Sequence, residues 1–447
     1  MSATLIRNIQ VVNEGTIRTA DVLLREGRIE KIASQIDTGK LRIQEIDGSG
    51  KHLLPGCIDD QVHFREPGLT HKACISTESK AAVAGGVTSF MEMPNTIPNA
   101  LTQELLEDKY HIAASQSLAN YSFYMGCSNE NTEEVLRTNE RKKDICGIKI
   151  FMGSSTGNML VDNPNTLDRI FKEAEVLIAT HCEDESIIRE NAAKRKLDPR
   201  PLTAADHALI RDANGCYASS LYAVQIAKQY DTRLHILHIS TAKERSLFSN
   251  LLPLKEKRIT NEVCVHHLHF TADDYARLGN QIKCNPSIKA AENKQALWEA
   301  LLDDRLDVIA TDHAPHTWEE KNVPYEKAHA GLPLVQHSLL LMLHYHKLGK
   351  ISLEKIVQKM SHAVADCFQI QNRGYIREGY QADLVMVDLN ESTTVDKQGL
   401  YYRCGWSPLE GMQLPARIEK TFVNGRVVYG KEGWDESVKG MRLAFDR

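Results

Sequence analysis

The sequence predicts an α/β fold: a (β/α)8 barrel of the TIM type with a small β-sandwich domain built from both termini. Three observations support this prediction. The middle of the 447-residue chain alternates short apolar runs with helix-like segments, both ends have strand-like patterns without helices, and side chains able to bind metals follow several of the apolar runs. An open parallel sheet is the alternative, because the same alternation also suits a doubly wound fold.

Composition limits the classes of function. A net charge of -5 and a pI near 6.4 give no basic surface for nucleic acid. The ten cysteines are scattered without a C-x-x-C pair, so we expect reduced thiols and a cytoplasmic protein. The N-terminal residues lack a signal peptide's apolar core, and no run approaches the roughly 20 apolar residues of a membrane span. We therefore expect a soluble protein with no membrane partner.

Both ends of the chain are typical of strands. The strand-like segments are residues 3–13, 20–46, 382–388 and 417–430. The last contains Asn424-Gly425, a dipeptide typical of tight hairpins. Neither end is long enough to bury a core alone, so we predict one composite β domain, residues 1–52 with 366–447, beside a barrel of residues 53–365.

The middle of the chain contains eight predicted strands, which are residues 53–59, 86–92, 121–126, 145–151, 176–181, 233–238, 258–263 and 306–311. Segments rich in Ala, Leu, Glu and Lys favour an outer layer of helices at 102–118, 131–142, 207–229 and 292–303. In a barrel of this type, catalytic groups lie at the carboxyl ends of the strands.

Polar side chains of the required kind follow these strands. They are His63 and Arg65 after the first strand, Asn95 after the second, Lys149 within the fourth, His181 and His238 at the ends of the fifth and sixth, Glu262 with His266 and His267 at the seventh, and Asp312, His313 and His316 at the eighth. Each has an ordinary structural explanation. Metal ligands or acid–base groups at so many successive strand ends favour one metal site.

Lys149 stands between two isoleucines on the predicted fourth strand. Burying a charged ammonium there costs several kcal/mol, so the residue must be neutral, paired or chemically modified. Taken alone, it could equally extend its charge to the barrel mouth. Beside three histidines and an aspartate, carbamylation is the better explanation, because the new carboxylate would bridge two cations. Imidazoles with carboxylates favour zinc, with manganese or cobalt as alternatives.

The chain resembles the amidohydrolase superfamily, and within it the class I-like dihydroorotases, in eight stretches: DDQVHFREPG, MPNT, GIKIF, ATHCEDES, LHILHIS, EVCVHHLHF, CNPSIK and IATDHAPH. The resemblance covers nearly the whole chain, and REPG together with TDHAPH is more specific than the metal ligands alone. It implies a zinc-dependent enzyme that reversibly cyclises N-carbamoyl-L-aspartate to (S)-dihydroorotate in de novo pyrimidine (UMP) synthesis.

The resemblance also implies roles for single residues. His63 would bind one cation, His181 and His238 would bind another, and carbamylated Lys149 would bridge them, with one or two Zn²⁺ per chain. Asp312 would be both a metal ligand and the catalytic proton carrier. The small anionic substrate would be held by Arg65, Asn95, Asn285, His316 and, as weaker matches, Ala330 and Gly331.

Gln61 departs from the pattern of that family, which has two histidines around one residue where this chain has Gln61-Val62-His63. An amide oxygen is a poorer zinc ligand than an imidazole. We therefore expect the cation of His63 and Asp312 to bind more weakly than that of His181 and His238. Asp60 is no replacement, because strand alternation turns it to the opposite face.

Three other features have simpler explanations. Residues 153–157 fit the G-x-S-x-G pattern of a nucleophile elbow, but residues 158–165 do not open a helix, so a loop over the site is favoured. The tract from His266 to His269 resembles a metal-binding motif, yet a structural or supporting role is favoured. Cys182 and Cys264 border the site without an evident base and are interpreted as packing residues.

Two other functions stay open. A hydantoinase or allantoinase is disfavoured because Arg65, Asn95 and His316 together suit a substrate carboxylate. A non-catalytic relative that supports a partner transcarbamoylase is favoured by Gln61, but the otherwise complete set of ligands argues against it. In every case we expect a homo-oligomer.

Overall fold

The computed structural model describes residues 3–39, 43–153 and 159–447. Within these ranges the strands form a nine-stranded sheet, an eight-stranded parallel sheet and a two-stranded ribbon. Every helix in the described part of the chain is too short or too polar to cross a bilayer.

The strands are, in chain order, β1 (Ala3–Asn13), β2 (Thr16–Arg25), β3 (Arg28–Ala33), β4 (Ile43–Asp47), β5 (His52–Pro55), β6 (Cys57–Val62), β7 (Val87–Glu92), β8 (Asn120–Gly126), β9 (Gly147–Phe151), β10 (Ile178–His181), β11 (Leu234–Ile236), β12 (Ile259–Cys264), β13 (Val308–Ala310), β14 (Leu384–Asp388), β15 (Thr393–Thr394), β16 (Gln413–Leu414), β17 (Arg417–Val423), β18 (Arg426–Gly430) and β19 (Gly433–Trp434).

The helices are α1 (Ile75–Ala84), α2 (Gln103–Gln116), α3 (Thr132–Leu136), α4 (Pro164–Glu173), α5 (Glu185–Lys196), α6 (His207–Ile210), α7 (Ala213–Tyr230), α8 (Val265–His269), α9 (Tyr275–Leu278), α10 (Ala291–Leu302), α11 (Trp318–Lys321), α12 (Ser338–Lys347), α13 (Leu353–Val357) and α14 (Ala363–Phe368).

The nine-stranded sheet joins the two ends of the chain. Strand β14 pairs antiparallel with β5 on one side and with β17 on the other, while β5 also pairs with β1. The hairpin between β17 and β18 turns at Asn424 and Gly425, whose φ angles of 50° and 77° suit the twist of a two-residue turn. The predicted β domain built from both termini is confirmed, whereas its residue limits stay a prediction.

The eight-stranded sheet is the predicted barrel. Strands β6 to β13 lie in sequence order, each parallel to the next. Its first and last strands meet where Val62 bridges His313, and the His63 amide donates to the His313 carbonyl at 2.7 Å. The open-sheet alternative is therefore wrong, because the two edges of the sheet meet each other.

The first predicted strand, 53–59, is two strands in the structure. Strand β5 ends at Pro55 in the terminal sheet, and β6 begins at Cys57 in the barrel. Gly56 makes the change of direction: its amide donates to the Asp383 carbonyl at 2.9 Å, and a Cβ there would lie 2.1 Å from Thr88 Oγ1. Only glycine allows the two sheets to approach this closely.

Two predicted helices are also divided. The segment 131–142 becomes α3 followed by a 3₁₀ turn, and the segment 207–229 becomes α6 and α7. The second division falls at Arg211 and Asp212, because the Asp212 carboxylate accepts the amides of Asn214 and Gly215 at 3.0 Å and starts a new helix. The break leaves Arg211 outside both helices, and its side chain forms an ion pair with Glu183, just after the barrel strand β10.

Candidate active site

A cavity of about 290 Å³ opens at the carboxyl ends of the barrel strands. Every residue assigned a role in the sequence analysis lines it: His63, Arg65, Asn95, Lys149, His181, His238, Asn285, Asp312, His316, Ala330 and Gly331. Gln61, Phe151, Ala314 and His329 also line it. The structure thus brings these residues together, as the barrel topology requires. Four other groups that follow predicted strands do not line this cavity, namely Glu262, His266, His267 and His313.

Three of these residues adopt left-handed backbone conformations. The φ angles are 68° at Arg65, 41° at His238 and 47° at Asp312. Each position costs roughly 1–3 kcal/mol for a residue other than glycine, and such conformations cluster at functional sites. The left-handed turn also explains how His238 lines the cavity although its strand, β11, has already ended at Ile236.

His181 and His238 form one side of the candidate metal site. His181 Nδ1 lies 3.0 Å from His238 Nε2, near the roughly 3.3 Å that separates two ligands of a tetrahedral zinc with bonds of about 2.0–2.1 Å. Burial, together with the facing His181, holds the pKa of His238 well below its ordinary value. Both residues are therefore neutral imidazoles, the form that binds metals.

A buried carboxylate supports this pair. His181 Nε2 lies 3.1 Å from Glu183 Oε2, and Arg211 is ion-paired with the same carboxylate. Burial alone would raise the pKa of Glu183, but Arg211 and His181 outweigh it and lower the pKa to about 2. An ionised Glu183 favours a proton on the facing Nε2 of His181, which would leave Nδ1 available to bind a metal.

Lys149 lies on β9 with 1% of its surface exposed. Its Nζ atom lies 4.5 Å from the centroid of the Phe151 ring, and no carboxylate of the described residues is within ion-pairing distance. Burial lowers the pKa of Lys149 to about 7. Near neutral pH a large fraction is therefore the free amine, which is the form that CO₂ carbamylates.

His63, Asp312 and Gln61 form the other side. His63 Nδ1 lies 2.8 Å from Asn95 Oδ1, and its Nε2 lies 3.1 Å from Asp312 Oδ1. Gln61 Nε2 donates to the same oxygen at 3.2 Å, while Gln61 Oε1 faces the Cys264 thiol at 3.8 Å. Gln61 thus presents its amide NH₂ group to Asp312, whereas a metal would need its oxygen.

The donor chemistry of these residues fits divalent cations. Two neutral imidazoles converge beside an amine that can become a carboxylate, and a third imidazole lies against an aspartate. This combination of nitrogen and oxygen donors suits zinc. Compared with the family pattern, both imidazoles are present on the side of His181 and His238, whereas one imidazole is missing on the side of His63.

Arg65 and His316 form a corner rich in N–H donors. Lys72 Nζ lies 3.2 Å from His316 Nδ1, and Arg65 Nη2 lies 3.1 Å from His316 Nε2, which is also 3.0 Å from the Ala330 carbonyl oxygen. Arg65 Nε donates to the Pro315 carbonyl at 3.1 Å. The cationic groups of Arg65 and Lys72 thus lie on either side of the His316 ring.

Asn285 and the segment 330–331 are held by neighbours of their own. His207 Nε2 lies 3.0 Å from Asn285 Oδ1, and His207 Nδ1 lies 2.9 Å from the Tyr325 hydroxyl. Lys321 Nζ donates to the carbonyls of Lys283, His329 and Gly331 at 3.1, 2.8 and 2.8 Å. These contacts hold in place Asn285, Ala330 and Gly331, which the resemblance assigns to substrate binding.

Several supporting residues were missed by sequence reasoning, namely Lys72, Glu183, His207, Arg211, Lys321 and His329. Glu183 follows His181 by two residues, a signal that could have been used. The others are far from their partners along the chain and carry no local signal. The predicted loop at 153–157 lies, from Ser154 onward, outside the described residues.

Comparisons with known proteins identify a family and several similar proteins. The amidohydrolase family model matches residues 52–428. A dihydroorotase from Pyrococcus furiosus is 32% identical over 421 residues, covering 94% of this chain and 91% of that protein. An allantoinase from Desulfitobacterium hafniense is 30% identical over 443 residues, covering 96% and 95%. The solved structure of an L-hydantoinase (dihydropyrimidinase) from Arthrobacter aurescens has a TM-score of 0.88 at 27% identity, covering 96% of both chains.

Proposed function

Because this chain belongs to the amidohydrolase family, we propose that it is a zinc-dependent dihydroorotase, which interconverts N-carbamoyl-L-aspartate and (S)-dihydroorotate in pyrimidine synthesis. The observation that carries the proposal is that buried Arg65, which is ion-paired with no carboxylate of the described residues, lies beside His316 in the same cavity as the imidazole pair. A carboxylate that is not itself cleaved needs such donors, and a neutral cyclic amide does not.

Substrate binding is assigned to Arg65 and the residues beside it. Arg65 is buried, and although burial lowers its pKa to about 10, it stays a cation at neutral pH. Its planar fork can bind the substrate carboxylate through two parallel hydrogen bonds, which an ammonium cannot reproduce. His316 Nε2 and the backbone of Ala330 and Gly331 border the same position. Asn285, held by His207, is placed for the polar edge of the ring.

Proton transfer is assigned to Asp312. Its Oδ1 atom is held by Gln61 Nε2 and lies beside His63 Nε2, and no described residue donates to Oδ2. Bound zinc supplies Lewis acidity towards the amide carbonyl and lowers the pKa of a coordinated water from about 15.7 towards 7. In the hydrolytic direction, water adds to the ring carbonyl carbon, the carbon–nitrogen bond breaks, and Asp312 carries the water proton to the leaving nitrogen. Cyclisation runs through the same steps in reverse.

A hydantoinase or an allantoinase is the second candidate. The similarity to the Desulfitobacterium allantoinase and to the Arthrobacter hydantoinase favours it. Both reactions open a cyclic amide and would use the same cations and the same Asp312, so the donor corner is the feature that separates them from the leading proposal.

Parallel steady-state assays of the zinc-loaded full chain test this proposal. The substrates are carbamoyl aspartate, dihydroorotate, hydantoin and allantoin. We expect kcat/KM for the first two to exceed that for the others by about 100-fold or more, because the buried Arg65 guanidinium would stay without a carboxylate partner when the substrate lacks one. Turnover restricted to hydantoin or allantoin would replace the proposal. Absence of turnover with all four would support a non-catalytic partner of a transcarbamoylase. Light scattering would then measure the expected oligomer of the chain alone and of the chain mixed with a transcarbamoylase.

A further inference from the structure

A second group of metal-binding atoms lies at the end of β12, outside the set assigned above. Cys264 is the last residue of β12, and His266 and His267 follow in the first turn of α8. One donor atom of each of the three residues lies within 4.8 Å of the other two. All three side chains are buried, at 0%, 0% and 3% exposure.

The hydrogen bonds of the two imidazoles leave nitrogen atoms without partners. His267 Nε2 lies 3.2 Å from the Pro286 carbonyl, so Nε2 carries the proton and Nδ1 is an acceptor, and none of the described residues donates to that Nδ1. Within the described part of the chain, neither ring nitrogen of His266 has a hydrogen-bond partner, although the Thr311 backbone lies beside this ring. Buried polar atoms are almost always partnered in native proteins, so these nitrogens require an explanation.

The neighbours of the cluster resemble those of a bound metal. Metal-binding histidines usually donate their other ring N–H to a carbonyl or carboxylate, as His267 does to Pro286. The third histidine of the tract does not belong to the cluster, since His269 Nδ1 lies 2.9 Å from the Tyr345 hydroxyl. The Cys264 thiol faces the amide oxygen of Gln61 at 3.8 Å. Gln61, the residue that departs from the family pattern, therefore borders this cluster.

From these contacts we propose that Cys264, His266 and His267 together bind one divalent cation. One sulfur and two nitrogen donors favour zinc, which takes Cys and His in closed structural sites. Burial raises the pKa of the Cys264 thiol well above its ordinary value, so the cation must displace a proton when it binds. The site would hold the end of β12 to the start of α8, beside the strand that carries Gln61.

Cobalt substitution of the full chain tests this site without an activity assay. None of the ligands assigned to the cavity is a cysteine, so thiolate-to-cobalt charge-transfer absorption in the near ultraviolet reports only a cysteine-bound ion. We expect the wild-type chain, stripped with a chelator and titrated with Co²⁺, to develop this band and, at saturation, to bind one Co²⁺ per chain more than the cavity holds.

Two variants identify the cysteine that gives rise to the band. Cys264→Ser should lose the band and bind one Co²⁺ fewer per chain. Cys182→Ser is the matched control, because Cys182 is also buried and lies beside His181, yet its thiol donates to Thr180 Oγ1. It should retain both the band and the count. A wild-type chain without the band at saturating Co²⁺ would overturn the proposal even if Cys264→Ser failed to fold, and so would a band that persists in Cys264→Ser.

Discussion

Lys149 is the residue whose environment most restricts its chemistry. We predict that it is carbamylated, because an amine with a pKa near 7 stands among metal ligands without a carboxylate partner. Peptide mass mapping and ¹³C NMR after labelling with bicarbonate should detect one carbamate at Lys149. Lys149→Ala should abolish zinc binding in the cavity and turnover, with partial rescue by short carboxylic acids.

Lys109 provides the control in the same sample. It is as buried as Lys149, at 1% exposure, but its Nζ atom is ion-paired with Glu92 at 2.8 Å. A paired ammonium is not nucleophilic, so Lys109 should stay unmodified. Finding a plain amine at Lys149 in zinc-loaded protein would contradict the prediction.

Arg65 is predicted to recognise the substrate carboxylate. Arg65→Lys should lower kcat/KM for dihydroorotate more than tenfold, or about 1.4 kcal/mol of transition-state stabilisation, while zinc content stays unchanged. Dihydrouracil, which lacks the carboxylate, is the matched substrate, and its slow turnover should not change. Wild-type kinetics in the variant would show that the assignment is wrong, and a loss of zinc would indicate a structural role.

Gln61 is predicted to make the two expected cations of the cavity bind with unequal affinity. Its NH₂ group faces Asp312, so the cation of His63 lacks the imidazole that the family has there. We expect Gln61→His to bind one more equivalent of zinc tightly and, if that cation limits turnover, to raise kcat at low zinc. Dialysed wild-type protein that already holds two equally tight cavity cations by calorimetric titration would refute this prediction. An inactive wild type with an active variant would favour the non-catalytic alternative.

At the scale of elements, helix α11 anchors the segment that closes one wall of the cavity. Lys321→Met keeps the size of the side chain but leaves the carbonyls of His329 and Gly331 without their buried donor, whereas the Lys283 carbonyl keeps the Gly331 amide at 2.8 Å. We expect the free energy of unfolding to fall by about 3 kcal/mol, since each unsatisfied buried group costs roughly 1–3 kcal/mol. KM for dihydroorotate should rise more than kcat falls, because Ala330 and Gly331 border the substrate position.

The control for α11 is Lys327→Met, which removes an exposed lysine from the same loop. It should leave both the urea midpoint and KM close to the wild-type values. If Lys321→Met also left them unchanged, the three hydrogen bonds would not be holding the segment.

At the scale of the whole molecule, Asp383 joins the terminal sheet to the barrel. It is ion-paired with buried Arg373, and it accepts hydrogen bonds from Asn120 Nδ2 at 3.1 Å and from the Asn424 amide at 2.8 Å. Asn120 begins the barrel strand β8, whereas Asn424 lies in the terminal hairpin. Asp383→Ala should lower the free energy of unfolding by about 3 kcal/mol or more, because it leaves a buried guanidinium unpaired.

Urea denaturation followed by tryptophan fluorescence measures this effect. Glu436→Ala breaks the ion pair with Lys80 on the surface and should change stability little. Equal denaturation midpoints for Asp383→Ala and the wild type would show that the two sheets are held together by other contacts.

Local patterns in the sequence predicted the barrel, its eight strands and the hairpin at Asn424 and Gly425. The reason is that apolar periodicity and turn residues act over a few positions, where backbone sterics and burial decide the structure. The grouping of the cavity residues was also predictable, since parallel strands bring their carboxyl ends to one face. Their individual roles stay predictions.

Only the tertiary structure decided the contacts between distant segments. Arg211 reaches Glu183 because Asp212 starts a new helix, Gly56 turns the chain because Thr88 leaves no room for a side chain, and Cys264 meets Gln61 across the barrel. These contacts depend on how whole elements pack, and the residues involved lie tens to hundreds of positions apart. Neither strand alternation nor helical periodicity carries that information, because both describe only the face to which a residue turns within its own element.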